Sequence, residues 1–383
     1  MTVMQILTID VGTGTQDIYL FRSGVALENG FKLVMPSPTM MVRKQIKEST
    51  QKKAGILLTG VMMGGGPCHW AAEEHLRAGL PLYATPDSAR TFNDDLEWVQ
   101  REMGIRLVSQ DETRRLKDVD VIQMRDFDYS SIVEAFHSFG FDLDPDVVAV
   151  AVFDHGAAPP DISDRQFRFD YLEERIRSEN RLMAFAYHAN DIPKIMTRMQ
   201  AVVQTADEVE CPMILMDTAP AAVIGATLDP EVSQAERLII VNVGNFHTLA
   251  FKLSLSGIEG VFEHHTGLID RQYLEQLLVA LAYGTLTHEQ VFGDQGHGAL
   301  IINPAPLRLD TRETGVVVTG PRRSMMKGSA LRPYFAVPFG DMMLAGCFGL
   351  LVAVADLLPE VSEPIHDAIE GATASTTPWD AEK

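Results

Sequence analysis

A carboxylate followed by a tight run of small residues is the first arrangement in this 383-residue chain that could do chemistry. Asp10 ends an apolar, β-branched run, Gly12-Thr13-Gly14-Thr15 follows, and a second apolar run resumes after Gln16. The pattern over Ile6 to Phe21 predicts strand, glycine turn, strand. In such a turn successive backbone N–H groups can converge on an anion, with the hydroxyls of Thr13 and Thr15 beside them. Asp10 is then placed to hold a hard cation, or its water, against that anion. An ordinary hairpin turn accounts for the same residues. Two other glycine loops are excluded: no Gly-Lys-Ser/Thr opens a helix here, and Asp17 takes the third glycine position of a dinucleotide fingerprint.

The stretch occurs twice. Leu238 to Leu253 repeats an apolar run, a polar residue (Asn242), Val-Gly, a short polar turn and another apolar run. Asn242, Gly244, Asn245 and His247 take the places of the first turn. One supersecondary unit repeated at this distance suggests two domains on one plan, each offering a hairpin turn to a shared cleft.

These motifs resemble those of the actin, sugar-kinase and heat-shock-chaperone ATPase superfamily. Asp10 to Gln16 is similar to its first phosphate motif and Val241 to His247 to its second. Pro220 to Thr227 and Gly340 to Gly349 resemble its two connecting helices, and Val316 to Pro321 its adenosine loop, with Gly320 and Arg322 as cofactor contacts. The resemblance implies an α/β fold of two actin-like (ribonuclease H-like) domains around a nucleotide cleft. It also implies ATP and Mg2+ as cofactors, with Asp10 on the metal. Asn242 departs from it, since the second motif usually carries aspartate there, and a single Gly320 before Pro321 departs from the glycine-richer adenosine loop. Both argue against fast hydrolysis. The whole chain also resembles a family labelled pyruvate formate-lyase activating enzyme. That label implies a radical enzyme with a CxxxCxxC cluster motif. Cys68, Cys211 and Cys347 lie far apart, so no iron–sulfur cluster is expected.

Other elements must position these residues. Gly55 to Val61 reads as a strand opening into Met62-Met63-Gly64-Gly65-Gly66, where glycines serve a tight turn or a close backbone approach. Arg43 to Lys53 reads as a solvated basic segment. Short strands at 81–83, 106–109, 119–124 and 147–153 alternate with helical stretches, as in parallel α/β units. The last strand ends in Asp154-His155-Gly156, where open sheets bind ligands. Asp154 is a candidate general base there and His155 a partner, with a capping aspartate as the plainer use. Arg165 and Arg168 could meet a substrate anion or pair with Asp161, Asp164 or Asp170. Tyr171 to Val209 reads as mostly helical, as two helices broken near Asp191-Ile192-Pro193, and Asp217-Thr218 as a helix cap. Histidines 155, 247, 264, 265 and 297 fall at strand ends or loops, where one or two functional imidazoles are expected rather than a cluster. Arg322, Arg323 and Lys327 form a basic group near the adenosine-like loop.

Composition sets the frame. Apolar content of 46% with 22% charged residues suits a globular protein of roughly two to three domains. We expect a first domain over 1–215, a second over 216–360, and a disordered acidic tail over 361–383. The net charge of −20 argues against nucleic acid and anionic membrane as partners. Scattered cysteines, the strand at the start and the interruptions in Met342 to Leu358 lead to a cytoplasmic expectation. The function expected is an ATPase or phosphotransferase acting on a small molecule. A metal-dependent hydrolase or lyase using the histidines, and a nucleotide-switched partner protein, stay open, as does a homo-oligomer.

Overall fold

The computed structural model describes residues 3–309, 315–373 and 377. β1 (Gln5–Val11), β2 (Thr15–Arg22) and β3 (Phe31–Pro36) form an antiparallel meander. The chain then leaves this sheet for an insertion with its own parallel sheet: β4 (Gly55–Gly60), β5 (Leu82–Ala84), β6 (Arg106–Leu107) and β7 (Val119–Met124), in the order β6-β5-β4-β7. The basic segment after Arg43 is part of a helix, Pro38–Lys52, and not a free solvated stretch. Ser37 caps it, Pro38 occupies its first turn, and Val42 and Ile46 are buried against the insertion's core. Its charged residues hid that apolar face.

β8 (Val147–Val152) returns to the first sheet, parallel to β1, followed by β9 (Ala186–His188) and β10 (Met213–Asp217). β8 is buried throughout, as a continuous apolar run covered on both faces requires. The stretch over 171–209, expected as two helices broken near 191–193, has helices Asp164–Ser178 and Thr197–Gln204, but strand β9 lies between them. β9 is only three residues long, too short for a period to show.

The second sheet contains β11 (Arg237–Val243), β12 (His247–Ser254), β13 (Gly257–His265), β14 (Gly298–Ile301), β15 (Val316–Thr319) and β16 (Tyr334–Phe335). Strand order decides the fold. The first sheet runs β3-β2-β1-β8-β10-β9 and the second β14-β13-β12-β11-β15-β16. In each, a meander lies to one side of its first strand and parallel strands to the other. Removing the edge strands β9 and β14 leaves the same 3-2-1-4-5 pattern twice. The protein has the α/β fold of two ribonuclease H-like domains, as in actin-like ATPases.

Helices Thr218–Thr227 and Ala345–Leu357 pack on each other between the sheets. The second of these lies in the core behind the first sheet, with Ile6, Tyr19, Val147 and Ile214, although it follows the second sheet in the chain. Among the described residues no single helix is long and apolar enough to cross a membrane. Residues 359–369 are helical, where a disordered tail was expected; the rest of that tail, apart from 370–373 and 377, lies outside the described residues.

Glycines set the distance between the two helices. A Cβ on Gly225 would stand 1.7 Å from the Ala345 carbonyl oxygen, and one on Gly349 would stand 1.9 Å from that of Ala221. Alanine would add about 1 kcal/mol of helix propensity. It would also have to displace a backbone carbonyl, and overpacking of that kind costs about 1–3 kcal/mol. Gly225→Ala is therefore expected to lower the urea midpoint at unchanged slope. A raised midpoint would contradict this contact.

Candidate functional site

The two hairpin turns meet. A Cβ on Gly14 would lie 2.7 Å from Asn245 Nδ2, so the tips of β1–β2 and β11–β12 touch across the space between the sheets. Turn carbonyls are held outward: Ser37 donates to the carbonyls of Thr13 (2.5 Å) and Gly14 (3.1 Å), and the Thr266 amide donates to Phe246 (2.7 Å). Among the described residues no acceptor meets the amides of Thr13, Gly14, Asn245 or Phe246. The Gly244 amide is used within its own turn, donating to the His247 carbonyl. Free amides on opposed turns are suited to an anion.

Behind the turns lies a cavity of about 480 Å3. Its walls include Asp10, Gly12, Thr13 and Thr15 from the first hairpin and Asn242, Gly244, Asn245 and His247 from the second. Asp154, His155 and Gly320 also line it. Gln16, Gly14 and Arg322 are not among its walls. Gln16 instead donates its amide to the Pro36 carbonyl (3.1 Å), and Gly14 serves the contact with Asn245. Arg322 is exposed; its backbone amide ties the adenosine-like loop to Val243. Gly320 has φ +94°, and a side chain there would strike Asn242 Oδ1 and the Val243 carbonyl, so that loop and the second hairpin are in contact.

Asp10, next to last in β1, stands opposite Asp17 on β2. Its Oδ1 accepts from the Thr218 hydroxyl (2.5 Å), the first residue of a helix. A Cβ on Gly346 would stand 1.9 Å from Asp10 Oδ2, so the carboxylate fits only because that helix position is glycine. Thr218, Ala219, Ala345 and Gly346 line the cavity, and two helix N-termini therefore face it. Such termini favour negative charge. Burial raises the Asp10 carboxyl to about 7, opposed by the Thr218 hydrogen bond. Burial, then the Asp10 charge, raises Asp17 to about 8. Asp17 entered the sequence reading only as a misfit to another motif, yet it completes this pair and its Oδ1 is buried without a hydrogen bond. Strict period-two alternation could have found it, since Asp10 and Asp17 occupy one register position.

Asp154 does not stand free as a base. Its Oδ1 accepts from Gly156 N (2.8 Å) and its Oδ2 from Met199 N (2.9 Å), which pins the loop after β8. Arg168 is fully buried and pairs with Asp217 (2.5 Å) and Glu263 (3.3 Å) rather than with a ligand or with Asp161, Asp164 or Asp170. Arg165 donates to the carbonyls of Gly296 and Phe292. The insertion forms one wall. Gly64 packs on Arg198, itself clamped by Asp126, and Gly66 packs on the ring of Phe246 at the second turn.

Histidines gather where one or two isolated ones were expected. His155, His247 and His297 come within metal-ligating distance of one another, and the His265 ring lies 4.7 Å from that of His297. Burial depresses all four, with the neighbouring histidines and Arg168 as further causes at His247 and His297 and Arg168 ahead of His265 at His155; His155 falls to about 3. Sequence spacing hid the group because it comes from three separate elements.

A family model described as "Putative pyruvate format-lyase activating enzyme (DUF1786)" matches residues 63–325, and the chain belongs to that family. No curated protein matches the sequence. Similar solved structures include a ROK hexokinase from Thermus thermophilus (12% identity, 96% of this chain and 88% of that one, TM-score 0.23). Another is a Ppx/GppA protein from Aquifex aeolicus (9% identity, 97% and 87%, TM-score 0.24). A third is a ROK family transcriptional regulator, a homolog of the E. coli MLC protein (8% identity, 67% of this chain, TM-score 0.23). This chain spans 38% of that regulator's length. The fold assignment rests on strand order and not on these likenesses. The cysteines do not fit the cluster that the family label implies. Cys68 is in the insertion's core, Cys347 in the core behind the first sheet, and Cys211 against a third cluster.

The carboxyl pair gives a pH test. In the folded chain both groups keep their protons up to about 7 and about 8, whereas the ordinary value is 3.8. The folded state binds more protons across that window, so this pair's contribution to stability falls as pH rises through it. A divalent cation between the carboxylates would reverse the loss. Magnesium should raise the melting temperature more at about pH 8 than at about pH 6. Equal shifts would contradict a cation site at Asp10 and Asp17.

Proposed function

We propose that this member of the family binds a magnesium nucleotide between its two hairpin turns and acts as an ATPase or phosphotransferase on a small molecule. The observation that carries the reading is the opposed pair of turns, with free amides and with Asp10 and Asp17 beneath them. The amides of Thr13, Gly14, Asn245 and Phe246 would receive phosphate oxygens. The two helix N-termini would add favourable field. Asp10 and Asp17 fit Mg2+ or its waters, since hard cations take carboxylate oxygens and usually keep several waters. Bound there, the ion would neutralise phosphate charge, and the chain's own work would be positioning and electrostatics.

Asn242 removes one carboxylate from the second hairpin, and its side chain is packed on Gly320. Slow turnover follows from that substitution. The substrate would sit where the insertion's Met62–Gly66 loop, Arg198 and the 90–94 segment close the cavity. A small-molecule substrate and a cytoplasmic location accompany this reading, and the net charge of −20 disfavours nucleic acid and anionic membranes as partners.

Asp10→Asn keeps the shape and one oxygen ligand but removes the charge. Titration calorimetry should show Mg-ATP binding weakened at least about tenfold, about 1.4 kcal/mol, with the fold intact. Gly346→Ala, which displaces the same carboxylate from behind, should do likewise. Unchanged magnesium-dependent binding in folded Asp10→Asn protein would remove the nucleotide reading.

A further inference from the structure

We propose that His155, His247 and His297 form a transition-metal site with an open coordination position facing the cleft, suited to Zn2+ or another first-row divalent cation. The site does not rest on the nucleotide reading. His155 follows β8 of the first sheet, His247 begins β12 and His297 precedes β14 of the second, so the group exists only when the two halves are together. One ligand nitrogen from each lies within 4.8 Å of the others. Ring centroids are 5.3 Å apart for His155–His247, 5.0 Å for His247–His297 and 5.8 Å for His155–His297. Tetrahedral bonds of about 2.0–2.1 Å put nitrogens about 3.3 Å apart, which small ring rotations reach.

Unpartnered nitrogens separate a ligand set from mere ring packing. His297 is 0% exposed, and neither its Nδ1 nor its Nε2 has a hydrogen-bond partner; His247 Nε2 is buried and equally unmet. Buried polar atoms almost always find partners, so unmet nitrogens on two neighbouring rings of the group call for a ligand. Support behind the rings is also present. Glu263 Oε1 stands 3.5 Å from His297 Nε2 with no hydrogen bond between them, and a small ring rotation would make the carboxylate–imidazole bond that orients metal-bound histidine and leaves Nδ1 to ligate. Phe153 stacks on His247 at 4.1 Å and 3°.

Charge is the strongest objection. Arg168 lies over Phe153 at 4.5 Å, a buried cation beside a proposed cation site. It is matched by two buried carboxylates, Asp217 and Glu263, and Arg198 is matched by Asp126. Arg165, which donates only to carbonyls, is a third cation near His297, and Asp154 is a fourth acid beside Asp217, Glu263 and Asp126, so the neighbouring acids outnumber the cations. Neutral imidazoles without a thiolate or a carboxylate in the set suit zinc, iron, nickel or copper and not magnesium. His155 and His247 line the cavity while His297 lies behind them, so three protein ligands leave a position open to the cleft. Three ligands with an open position is the pattern of catalytic rather than structural zinc.

The test uses untagged full-length protein, stripped with a chelator and titrated with Zn2+ and, as a spectroscopic probe, Co2+. Wild type should take up about one ion per chain, gain thermal stability, and give the strong visible Co2+ absorption of four- or five-coordinate nitrogen sites. His297→Ala and His155→Ala should each weaken uptake at least about tenfold. His137→Ala, at an exposed histidine paired with Asp142, should bind as wild type. Where His297→Ala fails to fold, His155→Gln at the cavity wall decides. Wild-type protein that retains no metal, or uptake unchanged in His155→Gln, would overturn the proposal. A chain that binds the metal but no nucleotide keeps this site and rejects the nucleotide reading.

Discussion

The cleft depends on one buried guanidinium. Arg168, from helix Asp164–Ser178, pairs with Asp217 at the end of β10 and with Glu263 on β13, and donates to the Asp154 carbonyl at the end of β8. Asp217 also caps the helix that begins at Thr218, and Glu263 stands beside His297. One side chain thus joins both sheets, the helix under Asp10 and the loop that carries His155. Removing it would leave two buried carboxylates without their cation, a loss of about 3–5 kcal/mol for a broken buried pair. The network would also lose the geometry that fixes the two halves of the site relative to each other.

Around that tie the site is built from close approaches that side chains would forbid. Gly225 and Gly349 let the paired helices touch, Gly346 makes room for Asp10, and Gly14 lets the hairpin tips meet at Asn245. The consequence is electrostatic. Two helix N-termini, two acids and the free amides of the two turns come together around one partly open cavity. Burial is the main cause that raises both acids, with the Asp10 charge adding to it at Asp17, so two ionised carboxylates are unfavourable here by themselves. Two acids beside donors for an anion support the proposal of a site that takes a cation and an anion together.

The doubled fold was legible because a hairpin with Asp10-Val11-Gly12 and one with Asn242-Val243-Gly244 repeat the same alternation, and β8 is a continuous apolar run. Local signals reported local structure: Asp217 caps a helix, and Gly320 marks a turn. What remained hidden depends on contacts distant in sequence. Arg168 looked like an anion ligand because its acids lie on other elements, at 217 and 263, and not at 161, 164 or 170. The histidine group draws on residues 155, 247 and 297, a separation at which no spacing rule operates. Asp154 was rightly placed at a strand's carboxyl end, yet only the structure shows both its oxygens occupied by backbone amides.

The most direct measurement is a crystal structure of the protein with magnesium and a non-hydrolysable ATP analogue. The account predicts phosphates against the free amides of both turns, Thr13 and Gly14 on one side and Asn245 and Phe246 on the other. It also predicts a magnesium ion within direct or water-mediated reach of Asp10 and Asp17. Nucleotide bound away from the turns, or a cleft that stays empty at millimolar analogue, would contradict it.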